Sequence, residues 1–170
     1  MNIQRMTRNA VIASLYIVLT LVPPLNALSY FAIQFRISEA LLILVWFRKD
    51  YAIGLIIGTF IANLFGPIGG GFAFIDAVIG SLITYLALTV MILVKHKGIG
   101  LLAPVVLNGI YLALFLPIAI PALTLSFEIA MVTGFTVALG EAAVVYLLGI
   151  PLYYFLKKQP RMLTLLKVGE

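Results

Sequence analysis

A chain of 170 residues that is 64% apolar and only 10% charged carries more apolar surface than a soluble fold of this size can hide, so its solvent is lipid. The net charge of +5 sits in small basic clusters between apolar runs, a pattern of helix ends at a membrane surface, which excludes a groove for nucleic-acid phosphates. With no cysteine, the chain has no disulfide, thiolate nucleophile or cysteine-held metal.

A helix crossing the hydrocarbon core needs about 20 residues, and polar or Pro/Gly breaks divide the chain into six candidates. Helix one runs from about Thr7 to Val22 and stops at Pro23-Pro24. Arg5 and Arg8 before an apolar run resemble a signal peptide, but no small-x-small cleavage site follows, so it reads as a retained helix. Helix two, about Ile37 to Phe47, is short and ends at Arg48-Lys49-Asp50; helix three, about Tyr51 to Phe65, ends at Gly66-Pro67 and Gly69-Gly70-Gly71. Helix four covers about Phe74 to Val94 and ends at Lys95-His96-Lys97; helices five and six cover about Leu101 to Ile120 and Phe127 to Leu156.

Alternating these spans places Arg5, Arg8, Arg48, Lys49, Lys95, Lys97, Lys157, Lys158, Arg161 and Lys167 on one side and Arg36 alone on the other. That bias predicts an all-α membrane protein of six transmembrane helices, with both termini in the cytoplasm and a single membrane domain over residues 1–170. No internal repeat points to an inverted-repeat transporter.

Ionisable and amide side chains within such spans are costly and mark candidate sites. Arg36 and Glu39 lie at the outer end of helix two, where they either pair across three residues or face a cavity. Asn63 and Asp76 stand near the outer ends of helices three and four, and Glu128 opens helix six; a carboxylate in a first turn is also explained by the helix dipole alone. Asn108 on helix five and Glu141 on helix six are deepest, Glu141 roughly 20 Å below the outer end of its helix. Asn63 and Asn108 also suit interhelical hydrogen bonding. Glu141 has no basic residue within a turn and needs a partner or a proton.

Gly134, Ala138 and Glu141 share a helix face, which either leaves room for a flat ring over the carboxylate or packs another helix closely; Tyr111, three residues after Asn108, walls the same space or fills the core. Polar groups thus run from the outer surface to mid-depth above an apolar inner half, as in an outward-facing pocket. There is no phosphate-binding G-x-x-x-x-G-K-[ST] loop, so the chain does not itself hydrolyse ATP. His96, the single histidine, falls in an inner loop, and no cofactor, metal site or enzyme chemistry is indicated.

The runs Ala32-Ile-Gln-Phe-Arg-Ile-Ser-Glu-Ala40, Gly58-Thr-Phe-Ile-Ala-Asn-Leu-Phe-Gly-Pro67 and Phe74-Ile-Asp-Ala-Val-Ile-Gly80 resemble the QueT family. Its members are substrate-specific (S) components of energy-coupling factor (ECF) importers for queuosine precursors. The resemblance implies a six-helix S-component bundle of the bacterial cytoplasmic membrane, binding its ligand from outside under a cap of extracellular loops. It also implies an energising module of a membrane scaffold protein and two cytoplasmic ATPases. S-components meet the scaffold through small residues on helix one; the matching positions are Ala10 and Ser14, where the second alanine is replaced by serine. The implied ligand is a 7-deazaguanine, preQ1 ahead of preQ0 or queuine. Glu141 would accept from its pyrimidinone edge and Asn108 would bond its carbonyl or a ring nitrogen. Glu39 or Asp76 would hold the aminomethyl cation, with Arg36 and Gln34 on the closing loop. Three alternatives remain open: an S-component for another vitamin-like compound, a stand-alone secondary carrier, and a structural subunit without a ligand.

Overall fold

A computed structural model describes residues 3–30, 34–66, 71–119 and 126–160. The expected breaks at Pro67 and Gly69-Gly70, and the basic Arg161 and Lys167, lie outside the described residues. The order is α1 (Ile3–Leu21), α2 (Leu25–Tyr30), a 3-10 helix (Ile37–Trp46), α3 (Tyr51–Leu64), α4 (Gly71–Leu93), α5 (Lys97–Gly100), α6 (Leu102–Ala119) and α7 (Phe127–Val144), which continues through a π-turn (Val145–Gly149) into α8 (Ile150–Lys158). No strand occurs among the described residues.

Among the described residues three helical stretches are long and apolar enough to cross a membrane: Gly71–Leu93, Lys97–Phe115 and the 32-residue run Phe127–Lys158. Two shorter apolar helices, Ile37–Trp46 and Tyr51–Leu64, accompany them. α1 is 19 residues long, but Gln4, Arg5, Arg8 and Asn9 in its first turns lower its hydropathy. The outward faces of the long helices are apolar, including Phe74, Leu82 and Tyr85 on α4, Ile110 and Leu114 on α6, and Met131 and Phe135 on α7. Lipid tails are as apolar as these side chains, so nothing drives them inward.

The expected second span departs from α-geometry. Its ten residues form a 3-10 helix in which Ser38, Glu39, Ala40 and Leu42 to Val45 are buried. The short apolar run is surrounded by α1, α3, α4, α7, the π-turn and α8, so it forms the middle of the bundle. Leu42, Ile43 and Val45 join Tyr16, Leu55, Leu88 and Met91 in the core. The outer helices follow in sequence, α1 on α3, α3 on α4, α4 on α6 and α6 on α7.

Small residues set the close contacts. On α3, Gly54 and Gly58 are four apart and face α1; a Cβ at Gly54 would stand 2.6 Å from the Asn9 carbonyl oxygen, and one at Gly58 2.8 Å from the Tyr16 Cβ. Asn9, buried in an apolar setting, accepts the Gly54 backbone N–H through Oδ1 at 2.8 Å. This small-x-x-x-small approach brings α1 close enough for its Tyr16 to reach the centre of the bundle.

Candidate functional site

The 3-10 helix carries the centre of the site. Side chains three apart nearly eclipse in this geometry, so Arg36, which caps the helix, stands above Glu39; its Nη1 lies 3.9 Å from Glu39 Oε1. The same oxygen accepts a hydrogen bond from the Tyr16 hydroxyl of α1. Next to this pair the Thr20 hydroxyl bonds the Ser38 hydroxyl at 2.7 Å and donates to the Tyr16 carbonyl at 2.8 Å. Glu39 is 1% exposed and its second oxygen, Oε2, has no protein partner.

Glu141 enters from α7 on the opposite side. Its side chain interacts with that of Asn108 from α6 and that of Glu39, and it too is buried with one oxygen, Oε1, lacking a protein partner. Gly140 precedes it, and the backbone of Gln34 lies directly against that glycine, where any Cβ would collide with the Gln34 carbonyl. The backbone of Gln34 is thereby held against α7 one residue before Glu141, two residues ahead of Arg36.

A second carboxylate station lies alongside. Asp76 of α4 is buried and accepts the Tyr111 hydroxyl of α6 at 2.6 Å. Tyr111 stacks on Phe115 with ring centroids 5.2 Å apart. Asn63 of α3 donates to the Asp76 backbone carbonyl at 3.3 Å, and its own Oδ1 is buried without a protein partner. The charge of Arg36 acts on Asp76, Glu39 and Glu141 alike.

One cluster therefore gathers Arg36, Glu39, Asn108 and Glu141, with the Gln34 backbone against the adjoining Gly140 and with Asp76, Tyr111 and Asn63 beside it. It holds three carboxylates and one guanidinium, and three of its buried acceptor atoms have no donor. Such a surface is complementary to a ligand rich in N–H groups and bearing positive charge. Among the described residues no group of carboxylates and histidine is placed to hold a metal ion.

Gly134 and Ala138 do not leave space for a ring: a Cβ at Gly134 would stand 3.0 Å from the Ala113 Cβ, and one at Gly109 3.1 Å from the Ala138 Cβ. These small residues pack α6 against α7, and that packing is what carries Asn108 to Glu141. Glu128 stands exposed in the first turn of α7, where Ser126 caps the helix through the Ile129 N–H at 3.3 Å, and the cluster does not include it. His96 caps α5 by accepting the Ile99 N–H at 3.3 Å. Ala10 and Ser14 are exposed on the outer face of α1.

Sequence reasoning missed Tyr16, Thr20 and Ser38. The signal for the first two was the α1 face Asn9, Ile12, Ala13, Tyr16 and Thr20, whose helical spacing points all five inward.

The sequence profile of the QueT transporter family matches residues 6–158. The "Queuosine precursor transporter QueT" of Lactococcus lactis subsp. cremoris (strain MG1363) is 32% identical over 151 residues, covering 81% of this chain and 83% of that protein. No solved structure matches the chain. With apolar helices long enough to span a bilayer and a family match over most of its length, the chain is a multi-pass protein of the bacterial cell membrane and belongs to the QueT transporter family.

Proposed function

We propose that this chain is the substrate-binding membrane subunit of an ATP-driven ECF-type importer, capturing a 7-deazaguanine queuosine precursor, preQ1 first, from outside the cell. The whole chain forms one S-component-like membrane domain of six spans with both termini inside. The observation that carries the reading is the pair of partnerless buried oxygens, Glu39 Oε2 and Glu141 Oε1, in one cluster beside Asn108 and Arg36. The Lactococcus lactis relative is named a queuosine precursor transporter, and a deazaguanine offers what those oxygens lack.

The pyrimidinone edge presents a ring N–H and an exocyclic amine side by side, which the Glu141 carboxylate accepts. Asn108 donates to the ring carbonyl or a ring nitrogen. Asp76 or Glu39 receives the aminomethyl cation, and the cation offsets the excess of carboxylates over Arg36. This charge balance favours preQ1 and queuine over the neutral preQ0. Gln34 and Arg36 close over the ligand from the chain segment resting on Gly140.

Energy comes from partners, because the chain has no phosphate-binding loop. The exposed Ala10 and Ser14 give a scaffold helix a close approach on α1. The inner placement of Arg5, Arg48, Lys49, Lys95 and Lys97 is supported by their convergence on one cavity at the same end of the bundle.

The test is thermal stability of the purified protein with preQ1, preQ0, queuine, guanine and a vitamin panel. A ligand that binds only the folded state stabilises it by about 2.7 kcal/mol at a hundredfold excess over Kd. A rise with preQ1 and none with guanine or vitamins is expected. A rise with a vitamin alone overturns the substrate, and transport by the chain without ATPases overturns the ECF assignment.

A further inference from the structure

At the end of the bundle away from the carboxylate cluster lies a cavity of about 540 Å³, within the range of about 300–1,000 Å³ usual for small-ligand sites. Its charged lining is Arg5, Arg48, Lys49, Lys95 and Lys97, from α1, the link after the 3-10 helix and the link after α4, against the single carboxylate of Asp50. That carboxylate is already engaged: Arg5 Nε donates to Oδ2 at 2.8 Å, and Arg48 donates through Nε to Oδ1 at 2.9 Å and through Nη2 to Oδ2 at 3.2 Å. Five cations thus line a space in which one carboxylate is the only countercharge among the lining residues.

The rest of the wall is apolar, formed by the half-buried Phe47, Ile92 and Val94, with the core residues Val45 and Met91 behind them. Trp46, the one tryptophan, is fixed in it by donating its indole N–H to the Met91 carbonyl at 3.0 Å. The Lys97 ammonium lies 5.2 Å from the Trp46 ring centre and 5.1 Å from that of Tyr153. Tyr153 also packs against Phe47 and Tyr154. A belt of tryptophan and tyrosine at the ends of apolar helices marks the depth of the lipid headgroups.

We propose that this cavity is a binding site for the phosphate of an anionic phospholipid, with the headgroup among Arg5, Lys49, Lys95 and Lys97 and the acyl chains leaving along the apolar wall. Free inorganic phosphate shares the charged half of this chemistry but would leave the apolar half wet. A bound lipid ties α1, the 3-10 helix and α4 together at their inner ends. This inference does not depend on the identity of the transported substrate.

The experiment measures thermal stability of the purified chain reconstituted in phosphatidylcholine, in an equimolar phosphatidylcholine–phosphatidylglycerol mixture, and in phosphatidylcholine with inorganic phosphate. Phosphatidylglycerol raises the melting temperature and inorganic phosphate does not. Lys49 and Lys95 are exposed, so Lys49→Gln and Lys95→Gln keep the melting temperature in phosphatidylcholine. Each lowers the apparent affinity for phosphatidylglycerol about fivefold, the worth of one cation near a charged headgroup. Lys157→Gln and Lys158→Gln, whose side chains do not line the cavity, retain the response. An equal loss in those two variants reduces the effect to diffuse surface attraction and overturns the site. A rise with inorganic phosphate matching that with lipid overturns the lipid as occupant, and no response to phosphatidylglycerol overturns both.

Discussion

Replacing Glu141 by Gln keeps the shape of the side chain and exchanges one carboxyl oxygen for an N–H donor. Glu141 is 4% exposed, and its Oε1 has no protein partner while its side chain faces Asn108 and Glu39. The wild-type carboxylate offers a ligand its partnerless Oε1 as an acceptor; the glutamine amide can place an N–H donor there instead. A hydrogen bond to a charged group contributes about 1.5–3 kcal/mol, so the affinity for preQ1 should fall roughly tenfold to more than a hundredfold. The unliganded protein should respond in the opposite sense. A glutamine N–H can donate to the partnerless Glu39 Oε2, so stability without ligand should hold or rise. Calorimetric titration of wild type and variant with preQ1, beside melting curves without ligand, reads both quantities. An unchanged affinity would refute the placement of Glu141 against the ligand. A fall in affinity accompanied by an equal fall in unliganded stability would show a structural role instead.

Gly58→Ala places a methyl group 2.8 Å from the Tyr16 Cβ and 3.2 Å from the Ala13 carbonyl; it should cost about 1–3 kcal/mol, read as a lower melting temperature. Tyr111→Phe removes the 2.6 Å donor to Asp76 and should destabilise by about 1–3 kcal/mol, with bound preQ1 recovering part of that loss if its cation sits at Asp76. Ala10→Leu together with Ser14→Leu, both exposed on α1, should abolish co-purification with the scaffold and ATPases while leaving preQ1 affinity within about twofold, a change of less than about 0.5 kcal/mol.

Hydrogen bonds from Arg48 first, and then Arg5, hold the Asp50 carboxyl below its ordinary value of 3.8. A group with a depressed folded value stabilises the protein above its unfolded value and loses that contribution as pH falls through the folded one. Stability should therefore decline in acid below about pH 4, and Asp50→Asn should flatten that part of the melting-temperature profile.

Much of the architecture was legible along the chain because lipid imposes a one-dimensional constraint: each span must be apolar for its whole length and must satisfy its own backbone. The expected fourth and sixth spans coincide with Gly71–Leu93 and Phe127–Lys158 to within a few residues, since Lys95-His96-Lys97 and Lys157-Lys158 mark their ends with charge. The intramembrane polar residues were legible for a related reason. A carboxylate such as Glu39 or Glu141 is so costly in this setting that its presence alone nominates it.

Composition and spacing by themselves determined the solvent, the helical class, the approximate spans and the short set of polar side chains within them. Only the tertiary structure decided which of them meet. Hydropathy cannot separate a 3-10 helix wrapped by six neighbours from a short transmembrane α-helix, because both are short apolar runs; burial on every side of Ile37–Trp46 is a property of its neighbours. Gly134 and Ala138 have the composition of a pocket wall and of a packing face equally, and Gly109 and Ala113 across the interface decided for packing. Tyr16 lay among many aromatic residues until the approach of α1 to Gly54 and Gly58 brought its hydroxyl to Glu39. The cluster draws its side chains from helical elements far apart along the chain, and contacts at that range are set by how closely small residues let helices approach.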